Sequence, residues 1–222
     1  MSKLAQIKRG RLPMALRYLF YGVEGVGKST LAADATEPIY FDLEDGTALI
    51  DCARYPFGDG PGGHVPATYG EVTGAITDLL DNDHAFKTLV IDTVDRLEPM
   101  LWAHICARDS RSRKKPLGGI EDYGYGKGYQ VALDEWRALC RQLDQLRTRR
   151  GMNIVLLGHA QISKFQNPEG EDYDRYSLNV HKFASGFFRE WCDVLGFYRF
   201  EEGGAKLDAT DDKAKGYSTD SG

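Results

Sequence analysis

The 222-residue sequence has no apolar stretch long enough to form the core of a signal peptide or to span a bilayer. That absence places the protein in the cytosol. Paired cysteines are missing too: the four present, Cys52, Cys106, Cys140 and Cys192, show no metal-ligand spacing. Buried free thiols in a reducing compartment are the expectation. Nor is there an excess of positive charge, since the formal net charge is −5, which argues against coating nucleic acid through an overall field. Local patches remain open: Lys3, Lys8, Arg9, Arg11 and Arg17; Arg108, Arg111, Arg113, Lys114 and Lys115; and Arg147, Arg149 and Arg150. Taken alone, each cluster reads as readily as a solvated face as a phosphate contact.

Glycine, by contrast, is plentiful. The 25 glycines imply long, turn-rich loops, and such loops in a compact domain are functional or disordered. The length suits one α/β domain with a full core and is too short for two substantial ones. We divide it into a basic N-terminal arm over 1–15, a core over 16–200 and a flexible polar tail over 201–222.

The densest signal is Gly22 to Thr30, GVEGVGKST, directly after the apolar run Leu16 to Tyr21. Gly22, Val23, Glu24, Gly25, Val26, Gly27, Lys28 and Ser29 fit the phosphate-loop pattern G-x-x-x-x-G-K-[ST]. Consecutive backbone N–H groups must turn inward around a phosphate chain, and glycines permit both the angles and the close approach. Lys28 then reaches the outer phosphates and Ser29 offers its hydroxyl to Mg²⁺. A helix predicted over Ser29 to Ala35 points its positive end at the same anion. The expected ligand is ATP with Mg²⁺. A dinucleotide fingerprint is disfavoured, because Lys28, Ser29 and Thr30 follow Gly27 with no third glycine at the required place.

Downstream, Pro38 to Leu43 reads as a second strand ending in Glu44-Asp45-Gly46. Ligands gather at the carboxyl ends of strands in open parallel sheets, so Glu44, or in competition Asp42, is a candidate base for the attacking water. Acids there serve equally well as caps for the next helix. Arg54 to Pro66 reads as an exposed loop. Thr68 to Glu71 is a capping box, followed by a helical face of Val72, Ile76, Leu79 and Leu80. Thr88 to Asp92 is an apolar strand closing on an acid, which with a phosphate loop upstream marks Asp92 for Mg²⁺, directly or through water. Thr93 and Asp95 are candidate caps for a helix over Val94 to Arg108.

Asp109 to Tyr129 combines Arg113, Lys114, Lys115 and Lys127 with the tyrosines of GYGKGY. Cations and rings on one loop suit single-stranded nucleic acid; a glycine-rich approach to a helix with solvated charges is the alternative. A confident periodicity predicts a helix over Gln130 to Arg150, then a buried strand over Asn153 to Gly158. That strand delivers His159 and Gln161 to the sheet edge that carries Asp92. Polar side chains there can sense a γ-phosphate or be satisfied within the core. Ile162 to Val180, with Lys164 and Arg175, reads as a second candidate loop for nucleic acid. A short helix over His181 to Trp191 and a strand over Val194 to Phe200 complete the core.

The order of phosphate loop, acid after the second strand, acid after the third and Gly-His-x-Gln after the fourth resembles the RecA-like branch of P-loop ATPases. More narrowly, FDLEDGT (Phe41 to Thr47), GYGKGY (Gly124 to Tyr129), LLGHAQ (Leu156 to Gln161) and EWCDV (Glu190 to Val194) resemble phage-encoded AAA-type ATP-binding proteins. Some of those are single-strand annealing proteins of phage recombination. The resemblance spans Leu16 to Phe200. It implies a three-layer α/β RecA-like core with a mostly parallel central sheet. It further implies Glu44 as the water-activating acid, Asp92 serving Mg²⁺, Gln161 reporting the γ-phosphate, single-stranded DNA at the loops after the third and fourth strands, and assembly of identical subunits into a ring or filament. Relatives usually continue into a further C-terminal strand pair and a basic segment that reaches a neighbour's nucleotide, whereas this sequence stops at Ser221-Gly222. The corresponding expectation is a shortened C-terminal region, or a trans-acting cation from elsewhere such as Lys182 or Arg189. A helicase or packaging motor is the competing function, and a small-molecule kinase, for which no Arg-rich lid helix is visible, is a third.

Overall fold

Short runs of Leu, Val, Ile, Tyr and Phe become the strands of one sheet in the computed structural model, which describes residues 3–7, 9–10, 14–58 and 63–201. Lys8 and Arg11 of the first basic cluster, part of the glycine- and proline-rich loop, and the tail expected to be flexible, from residue 202 on, lie outside the described residues. The parallel strands are β1 (Arg17–Gly22), β2 (Pro38–Asp42), β3 (Ala53–Arg54), β4 (Thr88–Asp92), β5 (Asn153–Phe165) and, after the antiparallel β6 (Tyr173–Leu178), β7 (Val194–Tyr198). They lie in the order β3-β2-β4-β5-β1-β7, each parallel to its neighbour, and β6 pairs with the far half of β5. The helices are α1 (Lys28–Ala33), α2 (Tyr69–Asp81), α3 (Val94–Ser110), α4 (Lys127–Gln145) and α5 (Lys182–Trp191). The fold is therefore the expected α/β class, a mostly parallel central sheet with flanking helices. Among the described residues no helix is long and apolar enough to cross a membrane.

Side chains alternate across a strand, and here both sets are apolar. Ile39, Phe41, Leu89, Ile91, Ile154 and Leu156 join one core with residues of α2, α3, α4 and α5, while Tyr40, Val90, Val155 and Leu157 form a smaller one with Ala32 of α1. Burial on both faces is why the central strands read as continuous apolar runs. Each fully buried aliphatic or aromatic side chain contributes about 1.5–3 kcal/mol.

Half of the capping box forms: Glu71 N–H donates to Thr68 Oγ1 at 3.3 Å, but the Glu71 carboxylate reaches one residue further back, its Oε2 accepting from Ala67 N–H at 2.8 Å. Other boundaries move. Helix α1 covers Lys28–Ala33 rather than Ser29 to Ala35, and α4 starts at Lys127 and passes into a π-helical turn, Leu146–Arg150. A two-residue strand, β3, forms at the edge of the sheet where only loop was expected. The largest correction concerns Ile162 to Val180, expected to be a loop. Strand β5 continues to Phe165 and turns back as β6, so most of the segment is a hairpin. Apart from Leu178 its side chains are exposed or half-buried, which removes the apolar alternation by which a strand is recognised; ring contacts such as Phe165 with Tyr173 at 5.1 Å hold the ribbon.

Arg17 of the first basic cluster and Arg147 and Arg150 of the third hold the fold. Arg17 pairs with Asp193 at 2.7 Å and lies over the Trp191 ring. Arg147 reaches Asp144 and the Ala15 carbonyl, and Arg150 reaches the Leu80 and Asn82 carbonyls.

The early start of α4 rests on Gly128. A Cβ built there would lie 2.2 Å from the Ile120 carbonyl oxygen, in the 3-10 turn Ile120–Tyr123. Alanine is the better helix former by about 1 kcal/mol, but the clash is with backbone and costs about 1–3 kcal/mol. Gly128→Ala should thus lower stability in urea unfolding; a variant that gains stability would show that the turn moves aside freely.

Candidate functional site

The carboxyl ends of β1, β2, β4 and β5 meet at one edge of the sheet, and the chain's concentration of buried charge lies there. Strand β5 runs between β1 and β4, pairing Gly22 with His159 on one side and Asp92 with Leu157 on the other. The phosphate-loop residues Gly22 to Thr30 link β1 to α1. Gly25 and Gly27 have φ of 72° and 88°, left-handed values that side chains strain to adopt. Lys28 is buried, and its Nζ donates to the Val23 carbonyl at 2.9 Å and the Gly22 carbonyl at 3.3 Å. Burial pushes the ammonium pKa down, against the opposing pull of Asp92, Asp95 and Glu44. Tyr40, fully buried beneath α1, donates its hydroxyl to the Ser29 carbonyl at 2.7 Å and so fastens the start of the helix to β2.

Ser29 Oγ donates to Asp92 Oδ2 at 2.5 Å. Burial pushes the Asp92 carboxyl up to about 6; nearby Glu44 and Asp42 push the same way, while the Ser29 bond and Lys28 oppose them. An acid so placed gains by having a cation beside it. A hydroxyl and a carboxylate converging on one point also form an oxygen donor set that suits a hard ion, so Ser29 and Asp92 fit Mg²⁺. The glycine-bearing loop with Lys28 over it fits a phosphate chain.

The geometry separates the two candidate bases. Asp42 is wholly buried and organises the turn after β2: Oδ1 accepts from Glu44 and Gly46 N–H, and Oδ2 from Thr47 N–H and its hydroxyl. Burial alone would raise its pKa, but these hydrogen bonds outweigh it and hold the carboxyl below its ordinary value. Glu44 instead faces the corner. Its Oε1 accepts from Thr93 Oγ1 at 2.7 Å and Arg96 Nε at 3.2 Å, and lies 3.5 Å from His159 Nδ1.

Asp95 carries a role that helix capping does not describe. Its two oxygens take the backbone N–H of His159 and the ring Nδ1, each at 2.9 Å. The Asp95 bond raises the His159 pKa against the effect of burial. Asp95 in turn is held below its ordinary value: burial pushes it up, and the His159 bonds pull it down further. Glu44, Thr93, Asp95, Arg96 and His159 thus form one connected group beside Lys28, Ser29 and Asp92. Only the acid three residues past Asp92 hints at this in the sequence, and that signal is indistinguishable from a helix cap.

Gln161 lies further along β5. Its amide donates to the Leu178 carbonyl at 3.2 Å, and its side chain lines a separate hollow with Glu98 and Trp102. The cationic candidates are spread over several elements. Arg113, over the Tyr123 ring, and the exposed Lys114 and Lys115 follow α3; Lys127 begins α4; Lys164 and Arg175 occupy the hairpin, Arg175 over the Phe165 ring.

A family model described as an AAA domain matches residues 14–218. No curated protein matches the chain.

If Asp95 anchors His159, Asp95→Asn should lower the His159 pKa, because its largest upward pull is lost and burial and Lys28 are then opposed by Glu44 alone, 3.5 Å from Nδ1. Ring-proton titration by NMR checks this; an unmoved titration would remove Asp95 from that role.

Proposed function

We propose that this chain, which belongs to the AAA domain family, couples ATP hydrolysis to the handling of single-stranded DNA in phage recombination or annealing. The coarser part needs no proposal: the chain is a nucleotide-binding P-loop ATPase domain. The observation that carries the finer reading is the path of β5, which passes the phosphate loop at His159 and continues without a break into the hairpin bearing Lys164 and Arg175.

In this reading the N–H groups of Gly22 to Thr30 and the Lys28 ammonium would hold the phosphates, and Ser29 and Asp92 would hold Mg²⁺, which when bound would supply charge neutralisation for phosphoryl transfer. All the contacts of Glu44 fall on Oε1, so Oε2 is the acceptor for the proton of the attacking water. His159, its pKa raised by the Asp95 bond, sits where a γ-phosphate would end, and Gln161 passes its presence or loss along β5. A trans-acting cation, Arg189, would act on a neighbour's nucleotide in a ring or filament of identical subunits, in the cytosol of a bacterial host.

Lys28→Ala should abolish nucleotide binding. Glu44→Gln should keep binding and lose turnover by about 10²–10⁴-fold, as phosphate-release assays will show; normal turnover would exclude Glu44 as the base.

Single-strand binding should fall steeply with salt and change when ATP is added. Equal affinity for duplex, or indifference to nucleotide, points to a helicase or packaging motor instead, and transfer of phosphate to a metabolite points to a kinase.

A further inference from the structure

One turn beyond Asp95, Glu98 of α3 lines a hollow of about 520 Å³ with Trp102, Gln161, Asn179, His181 and Lys182. It is a broad depression open to solvent, not an enclosed cavity. Around it lies a cluster of rings. Tyr129 stacks on His181 at 3.9 Å and 2°, Trp102 meets Tyr129 edge-on at 5.6 Å, and Phe183 meets His181 edge-on at 5.0 Å. Burial and the neighbouring Lys182 push the His181 pKa down, so this ring is neutral near neutral pH.

The polar groups of the hollow are incompletely used. The indole N–H of Trp102 is sealed from solvent and has no hydrogen-bond partner among the described residues, so what a ligand in the hollow meets is the Trp102 ring and not its N–H. The Gln161 amide nitrogen is engaged by the Leu178 carbonyl, which leaves its oxygen as an acceptor. Lys182 is exposed beside the opening, with its ammonium 5.6 Å from the Phe183 ring centre. Rings, a free amide acceptor and an exposed cation together suit a planar heterocycle carrying a phosphate.

We propose that this hollow is a subsite for one unstacked nucleotide of a single strand, its base against the Trp102, Tyr129 and His181 rings and its phosphate toward Lys182. The proposal rests on the single-strand reading above and adds the place and the residues. A paired base could not enter, because its edge and both faces are occupied within a duplex.

The same elements build the hollow and the nucleotide corner. Helix α3 holds His159 through Asp95 and, three residues on, accepts the His181 backbone N–H through Glu98 at 2.9 Å and 3.1 Å. Strand β5 presents His159 to one site and Gln161 to the other. A shift of α3 against β5 at the phosphates therefore reshapes the subsite.

The hollow carries its own reporter. Trp136 and Trp191 are 1% and 9% exposed, and Trp102 is the more accessible of the three tryptophans. Titrating the full chain with oligo(dT) should quench tryptophan emission, and Trp102→Phe should remove most of that quenching. Trp102→Ala and Lys182→Ala should each weaken oligo(dT) binding about tenfold in fluorescence anisotropy, with folding checked by circular dichroism. Oligo(dT) binding without quenching of Trp102, or wild-type affinity in folded Trp102→Ala, overturns the subsite while leaving the single-strand reading intact. Equal quenching by dTMP and by oligo(dT) shows a mononucleotide site and likewise overturns it. No oligo(dT) binding at all overturns the single-strand reading itself. Should Trp102→Ala fail to fold, the quenching of the wild-type chain and its loss in Trp102→Phe decide the matter.

Discussion

Asp92 is a carboxyl group drawn out of water at the tip of a fully buried strand whose middle three residues, Leu89, Val90 and Ile91, are apolar. Ionising it there is unfavourable unless positive charge is close, and the edge of the sheet is arranged to bring charge close. The Ser29 hydroxyl ties it to the phosphate loop across β5, and Lys28 supplies an ammonium that is itself buried. Two groups that would each shed their charge in isolation depress and raise one another's pKa toward the charged forms. A loop, a helix start and the tip of β4 are held in register by that mutual need.

Around this centre the residues divide by what they can still do. Asp42 is buried, fully hydrogen-bonded and engaged in shaping a turn, whereas Glu44, two residues on, has one oxygen gathered into contacts with Thr93, Arg96 and His159 and another left for solvent or ligand. Helix α3 and strand β5 each serve twice, at the corner and at the ring-lined hollow. Because both elements are packed rigidly into the main core through residues such as Leu97, Leu101 and Leu156, neither can move at one site without consequence at the other.

Much of this was legible before any coordinates. Buried parallel strands announce themselves by apolar runs, and the phosphate loop by a local backbone requirement that glycine and lysine meet in fixed spacing. The choice between Asp42 and Glu44 was not legible, since both stand at a strand end and only the path of the following turn decides which is used up. The Asp95 to His159 contact joins residues 64 positions apart, and nothing in either segment alone encodes it. The hairpin after Gly158 has no such signal, because apart from Leu178 its side chains are exposed or half-buried and its strands lack the alternation that burial imposes.

By itself the sequence determined an α/β chain with a phosphate cradle at Gly22 to Thr30 and an acid at the end of β4, because these depend on near neighbours and on burial. Tertiary structure alone decided which acid faces the corner, what steadies His159, and that Gln161, Trp102 and His181 share a hollow. Those are matters of strand order and helix register, set by the packing of segments far apart in the chain.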